Sequence, residues 1–182
     1  MKQYDKRDFP VAEVRRFLEP CPVVLLSCAW QDERNIMTMG WHMVMEFEPS
    51  LIGCMISSGN HSFGMIRASK ECVINIPTYD LAKQVVGIGN CSGAEVAKFE
   101  KFKLTPVKGD APLIKECYAN FECKVIDASL VPKYSFFILE VVKAHAATSP
   151  KVPRTIHYRG DGQFMVSGRE VSFRKMFRPE NL

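Results

Sequence analysis

The sequence predicts a mainly β fold, an antiparallel barrel with appended helices. Three observations predict it: about seven short runs rich in β-branched and aromatic residues, turn signals between them, and helical periodicity confined to a few short stretches. The longest alternation covers residues 36–47. Met37, Met39, Trp41, Met43, Met45 and Phe47 share one face there, and Ile36, Thr38, Gly40, His42 and Val44 the other.

Taken in order, residues 11–18 place Val11, Val14, Phe17 and Leu18 on one helical face, and Pro20 and Pro22 stop that helix. Residues 23–30 form a continuous apolar run, the pattern of a buried strand. A polar turn over 31–35 leads into the alternating strand, which Pro49 ends. Residues 51–57 make the next strand, and a polar loop hands over to a short helix beginning at Ser62. Residues 72–77 read as a strand closed by Pro77, and 79–86 as a helix. A further helix opens at Ser92, with Glu95 three residues on as a capping box and Val96, Phe99 and Phe102 stacked along it. Strands follow over 117–125 and 136–142, and Gly160-Asp161-Gly162 turns a hairpin between 156–159 and 163–166. Residues 174–182 read as frayed or dependent on a partner. No repeat, low-complexity tract or linker interrupts the chain, so one domain over residues 1–182 is expected.

Composition narrows the class. Hydrophobic residues are 47% and charged residues 24%, ordinary globular usage. The net charge of +4 is scattered, which argues against a nucleic-acid groove and suits a small anionic ligand. Seven cysteines, at 21, 28, 54, 72, 91, 117 and 123, include no CxxC and sit mostly in apolar runs. They read as reduced, buried thiols of a cytoplasmic protein, neither a disulfide framework nor a zinc site. The first residues lack the apolar core of a signal peptide, and no apolar run reaches membrane-spanning length.

Several chemistries are excluded by spacing. His42, His61, His145 and His157 lie on separate elements without metal-ligand spacing, and no GxSxG occurs. The glycine-rich residues 87–93 are not GxGxxG and follow a helix, so a dinucleotide fold is rejected. What remains is a surface for a flat ring with an anionic tail. Backbone N–H groups near Asn35 and the Thr38 hydroxyl offer donors to a ring edge, and Gly40 admits a ring close to the backbone. The loop Ser57-Ser58-Gly59-Asn60-His61-Ser62 runs from strand to helix, where unpaired N–H groups suit a phosphate; the serines and Asn60 are equally ordinary caps. Ser92 and Gly93 open a second helix start, and Lys98 is either a phosphate ligand or a solvated helix lysine.

Asn-x-Met-Thr-x-x-Trp at 35–41, Ser-Ser-x-x-His-Ser at 57–62 and Ser-Gly-x-x-x-x-Lys-Phe at 92–99 together resemble the flavin reductase-like, FMN-binding split-barrel family, flavoredoxins in particular. The resemblance implies a split β-barrel, FMN as cofactor, and a homodimer with the flavin near the subunit interface. It assigns Asn35, Met37, Thr38 and Trp41 to the flavin, and Ser57, Ser58, Asn60, His61 and Ser62 to its phosphate and ribityl chain. Ser92, Gly93 and Lys98 join the same site. The activity implied is hydride transfer from NADH or NADPH to FMN, with no side chain acting as acid or base. The alternative is a flavoredoxin-type electron carrier without its own nicotinamide site, working with an electron-acceptor protein. No haem ligand stands out.

Overall fold

The computed structural model describes residues 21–107 and 109–181; the helix expected over 11–18 lies outside them. One antiparallel sheet dominates. Its strands are β1 (Val24–Trp30), β2 (Glu33–Met39), β3 (His42–Glu46), β4 (Leu51–Met55), β5 (Glu71–Ile76), β8 (Ala119–Asp127) and β9 (Phe136–Ala146). They lie in the order β2-β1-β5-β8-β9-β4-β3. The short strands β6 (Pro106–Val107) and β7 (Leu113–Ile114) pair with each other, as do β10 (Ile156–Tyr158) and β11 (Phe164–Val166).

The sequence expectation of a single strand over 36–47 is corrected. The chain breaks at Gly40–Trp41, and its two halves occupy opposite edges of the sheet. Successive strands at opposite edges require the sheet to curl, so this connection closes the barrel. Two bonds hold the break: Met55 N–H donates to the Trp41 carbonyl at 3.0 Å, and the His42 ring lies 2.8 Å from the Pro22 carbonyl. Alternation along the chain is local, and it carries no signal of which edge each half joins.

Residues from both sides of the curl meet in one interior. Val24, Leu26 and Cys28 of β1 and Met37 and Met39 of β2 pack with Phe137 and Leu139 of β9. Helix α1 (His61–Ser69) plugs this core with Met65 and Ile66. The opposite face of β1 and β2, through Leu25 and Ile36, packs on a second core. That core takes Val85 and Ile88 from α2 (Ala82–Gly89), Phe99 from the single-turn α3 (Lys98–Lys101), and Ile156 from β10. Burial on both faces explains the continuous apolar run of β1. A last single turn, α4 (Val131–Tyr134), leads into β9.

Two helix expectations change. The segment from residue 79 begins as a 3-10 turn, Tyr79–Leu81, and its α-helix runs on to Gly89. The helix expected at Ser92 does not form there: residues 92–96 turn, and only Lys98–Lys101 is helical. Ser92 Oγ accepts from Ala94 N–H at 3.2 Å, two residues on, so the capping box is not made. The cause is tertiary. A Cβ on Gly93 would collide with the Asn35 side chain, so the segment is pressed onto β2 in a path that a helix from Ser92 does not share.

Candidate functional site

Two adjoining cavities lie where β2 meets α1, α2 and the β10–β11 hairpin. The larger, ≈ 670 Å³, runs along Met37, Thr38, Gly40 and Trp41, with Val85 and Val86 of α2 on one side and Tyr158 and Phe164 on another. No charged side chain lines it among the described residues. The smaller, ≈ 330 Å³, is polar, and Asn35, Ser62, Ser92 and Lys98 face it. Met37, Asn60, Gly89 and Asn90 line both, so the two cavities form one apolar-to-polar groove.

The groove's floor is an edge strand. Among the described residues β2 pairs only with β1, so alternate backbone groups on its other side have no strand partner there. The Thr38 hydroxyl is engaged, donating to the Val85 carbonyl at 2.6 Å. It therefore latches α2 to β2, leaving its oxygen as an acceptor. Gly89 lies beside this threonine, and a Cβ added there would make ordinary van der Waals contact with the Thr38 side chain at 3.5 Å. Gly40 has open space where a Cβ would be, on the cavity side.

At the polar end, Asn35 is buried and donates from Nδ2 to Ser62 Oγ at 2.9 Å. One side chain thus joins β2, the first turn of α1 and the Gly93 turn. Helix α1 starts at His61 with Asn60 as N-cap residue, yet no side chain caps it. Phe63 N–H donates to the Asn60 carbonyl at 2.9 Å, and the positive end of the helix dipole lies at His61 and Ser62, which line the smaller cavity. Asn60 instead folds back, its Nδ2 donating to the Ser57 carbonyl at 3.3 Å. The His61 ring lies 2.6 Å from Glu33 Oε1.

Lys98 differs from both sequence readings of it. It stands at the first position of α3, not partway along a longer helix, and it is 5% exposed, so it is no solvated lysine. Its Nζ donates to the Ile88 carbonyl at 3.0 Å, and no carboxylate among the described residues pairs with it. Burial holds its ammonium below the ordinary lysine pKa. Next to it, Arg34 and Glu100 form an ion pair at 2.6 Å that fastens α3 to β2, and the guanidinium holds the Glu100 carboxyl below its usual range.

Of the residues singled out from sequence, Thr38, Trp41 and Ser57 line the larger cavity. Asn35, His61, Ser62, Ser92, Gly93 and Lys98 line the smaller, and Met37 and Asn60 line both. Ser58 lines neither. Sequence reasoning missed Asn90, Cys91, Tyr158 and Phe164. Asn90 and Cys91 were visible only within the glycine-rich stretch, and the aromatic pair only as hairpin strands. Tyr158 and Phe164 pack with ring centroids 5.1 Å apart and ring planes tilted by 52°, at the cavity wall.

The described residues contain no His, Cys, Asp and Glu group able to hold a metal, and no helix among them is long and apolar enough to cross a membrane. All seven cysteines are free. Burial raises the Cys28 thiol to about 11 and Cys117 to about 12.

Comparison with known proteins places this geometry. The family model described as "Flavin reductase like domain" matches residues 15–164. An uncharacterised protein of Archaeoglobus fulgidus is 33% identical over 135 residues, covering 72% of this chain and 76% of that protein. Among solved structures, the FMN-binding domain of a flavin reductases-like enzyme from Shewanella baltica is 26% identical, with TM-score 0.77, covering 90% of this chain and 95% of the other. Flavoredoxin from Methanosarcina acetivorans shares the fold at 21% identity, with TM-score 0.81 over 98% of this chain and 100% of the other. The expectation of a mainly β split barrel holds.

Proposed function

This chain belongs to the flavin reductase like domain family, and from that premise we propose that it is an FMN-binding, NAD(P)H-dependent flavin reductase of the cytoplasm. The observation carrying the proposal is the groove's polarity: an apolar cavity with no charged side chain among its described lining opens into a polar one lined by Glu95 and by Lys98, a buried cation that no carboxylate among the described residues pairs with. A buried ammonium is costly without an anion, and an uncapped helix start nearby adds donors. The residues fit FMN in that orientation. Lys98 and the first turn of α1 hold the phosphate. Met37, Thr38 and Trp41 bound the ring, and Asn35 fixes the turn between them. Bound there, FMN supplies the ring that accepts a hydride and passes electrons on.

The chain's own part is binding, orientation and exclusion of water. Val85, Val86 and Phe164 keep the ring end apolar, and no charged group stands among the residues that line it. No residue need transfer a proton for this role. The same neutrality favours a second reading, an electron carrier without a nicotinamide site, since no cation lines the larger cavity to take dinucleotide phosphates.

Steady-state oxidation of NADH and NADPH with added FMN decides between the two. Turnover with either nucleotide supports the reductase. Bound flavin that neither nucleotide reduces supports the carrier. Protein that binds no flavin in titration sinks both.

A homodimer belongs to this reading. Met37 and Met39 are core, but Trp41, Met43, Met45 and Phe47 are exposed. The apolar surface open to a dimer contact is therefore the chain beyond the Gly40 break, beside the larger cavity.

A further inference from the structure

Two stretches expose apolar side chains that no other part of the described residues covers. One is β3 with its flanks. Among the described residues it is an edge strand bonded only to β4, and this stretch exposes Met43 at 54%, Val44 at 68% and Phe47 at 83%. Natural edge strands are short, charged or covered, because an open ladder recruits other chains. The second is the arm after β11. Every residue from 168 to 180 is exposed, including Phe173 at 60%, Met176 at 81% and Phe177 at 56%. Contiguous apolar exposure of this kind marks a surface that another molecule covers.

The two stretches complement each other in charge. The arm carries Arg169, Arg174, Lys175 and Arg178 against Glu170 and Glu180, whereas the β3 edge carries the exposed Glu46 and Glu48. Both remain exposed within one chain, so the arm does not lie on its own edge.

We propose that the arm of one copy lies along the β3 edge of a second copy, and reciprocally. Phe173, Met176 and Phe177 cover Met43, Val44 and Phe47, and the arm's cations meet Glu46 and Glu48. A two-fold pair satisfies both contacts at once. Trp41 lines the larger cavity and immediately precedes β3, so the partner's arm ends beside the mouth of the groove and each site is completed by the other copy. The inference rests on the dimer proposed above and adds the segment that makes it.

The test uses two full-length variants, followed by sedimentation without added flavin. One carries Arg174→Glu, Lys175→Glu and Arg178→Glu; the other carries Glu46→Lys and Glu48→Lys. All five positions are exposed, and circular dichroism checks that both variants fold. Each variant alone should dissociate at least about tenfold more readily than wild type, since attraction becomes repulsion at every contact. An equimolar mixture should recover wild-type association, because in the mixed pair both contacts join opposite charges again. A contact within one chain predicts no recovery on mixing and recovery in a chain carrying all five changes; that result overturns the proposal. So do unchanged dissociation in the single variants, and single losses that no combination restores. A monomeric wild type removes the dimer as well as the arm. Flavin titration stands apart from these readouts, so a failure of the flavin reading is separately visible.

Discussion

Lys98 sits 5% exposed, its Nζ on the Ile88 carbonyl at 3.0 Å, and burial already holds its pKa below the ordinary lysine value. An anion in the smaller cavity removes that penalty, and a hydrogen bond with a charged partner contributes about 1.5–3 kcal/mol. Lys98→Ala should therefore weaken FMN at least about tenfold and leave riboflavin, which lacks the phosphate, nearly unchanged. Equal losses for both flavins in a titration would take Lys98 out of the phosphate site. pH adds a second readout with opposite signs. FMN affinity should fall as pH rises through the lowered Lys98 pKa, because the cation is lost. Over the window between that pKa and the ordinary one, the unfolded chain binds more protons, so the Lys98 contribution to the free protein's stability rises with pH. The thiols give a residue-scale check on burial. With Cys28 at about 11 and Cys117 at about 12, these groups hold almost no thiolate near pH 8. A thiol reagent should label the half-buried Cys21 and Cys91 in the native protein and spare the buried five. Cys91 lines the smaller cavity, so FMN should slow its labelling; rapid modification of all seven would contradict the packing.

At the scale of elements, the site depends on how α2 is latched to β2. Thr38 donates to Val85 across that contact at 2.6 Å, and the same helix supplies Val86, Gly89 and Asn90 to the groove. Thr38→Val keeps the shape and removes the donor. It should cost about 0.5–1.5 kcal/mol of stability, the net worth of one hydrogen bond, and weaken FMN as the helix loosens. Thr38→Ser should retain both properties. A valine variant with wild-type melting temperature and FMN affinity would show that packing of Val85 and Ile88 alone holds the helix. The α1 start and the hairpin over 156–166 were legible from local patterns, since each is a short-range matter of capping and turn chemistry. The turn at Ser92 was not. Its local signals favour a helix, and the contact between Gly93 and Asn35 overrides them.

Across the whole molecule, the barrel closes by sending one stretch of chain from one sheet edge to the other. The same break leaves β3 as an open edge, puts Trp41 at the cavity, and separates core methionines from exposed ones. The molecule thereby places the larger cavity next to the β3 edge. The arm and dimer proposed above follow from that placement. A second buried feature ties distant parts together. Asn75, fully buried, donates to the Leu25 carbonyl and Ser27 Oγ, both at 2.9 Å, while its Oδ1 accepts from Ile114 N–H at 3.0 Å. It docks the β6–β7 excursion onto the barrel, and nothing in the local sequence around it announces that role.

The sequence by itself determined the class of the fold and fewer than half of the groove's residues, among them Asn35, Thr38, Ser62 and Lys98. Period-two alternation, turn glycines and three ordered motifs are local properties; the 160–162 turn survives where it was read, whereas the alternation over 36–47 is divided and the helix read at Ser92 does not form. Tertiary structure alone decided that residues 36–47 divide between two edges, that Lys98 is buried at the start of a single turn, and that Tyr158 and Phe164 join a cavity with Thr38. These depend on contacts between residues far apart in the chain. Periodicity reports which side chains share a face; it carries no information about what that face will meet.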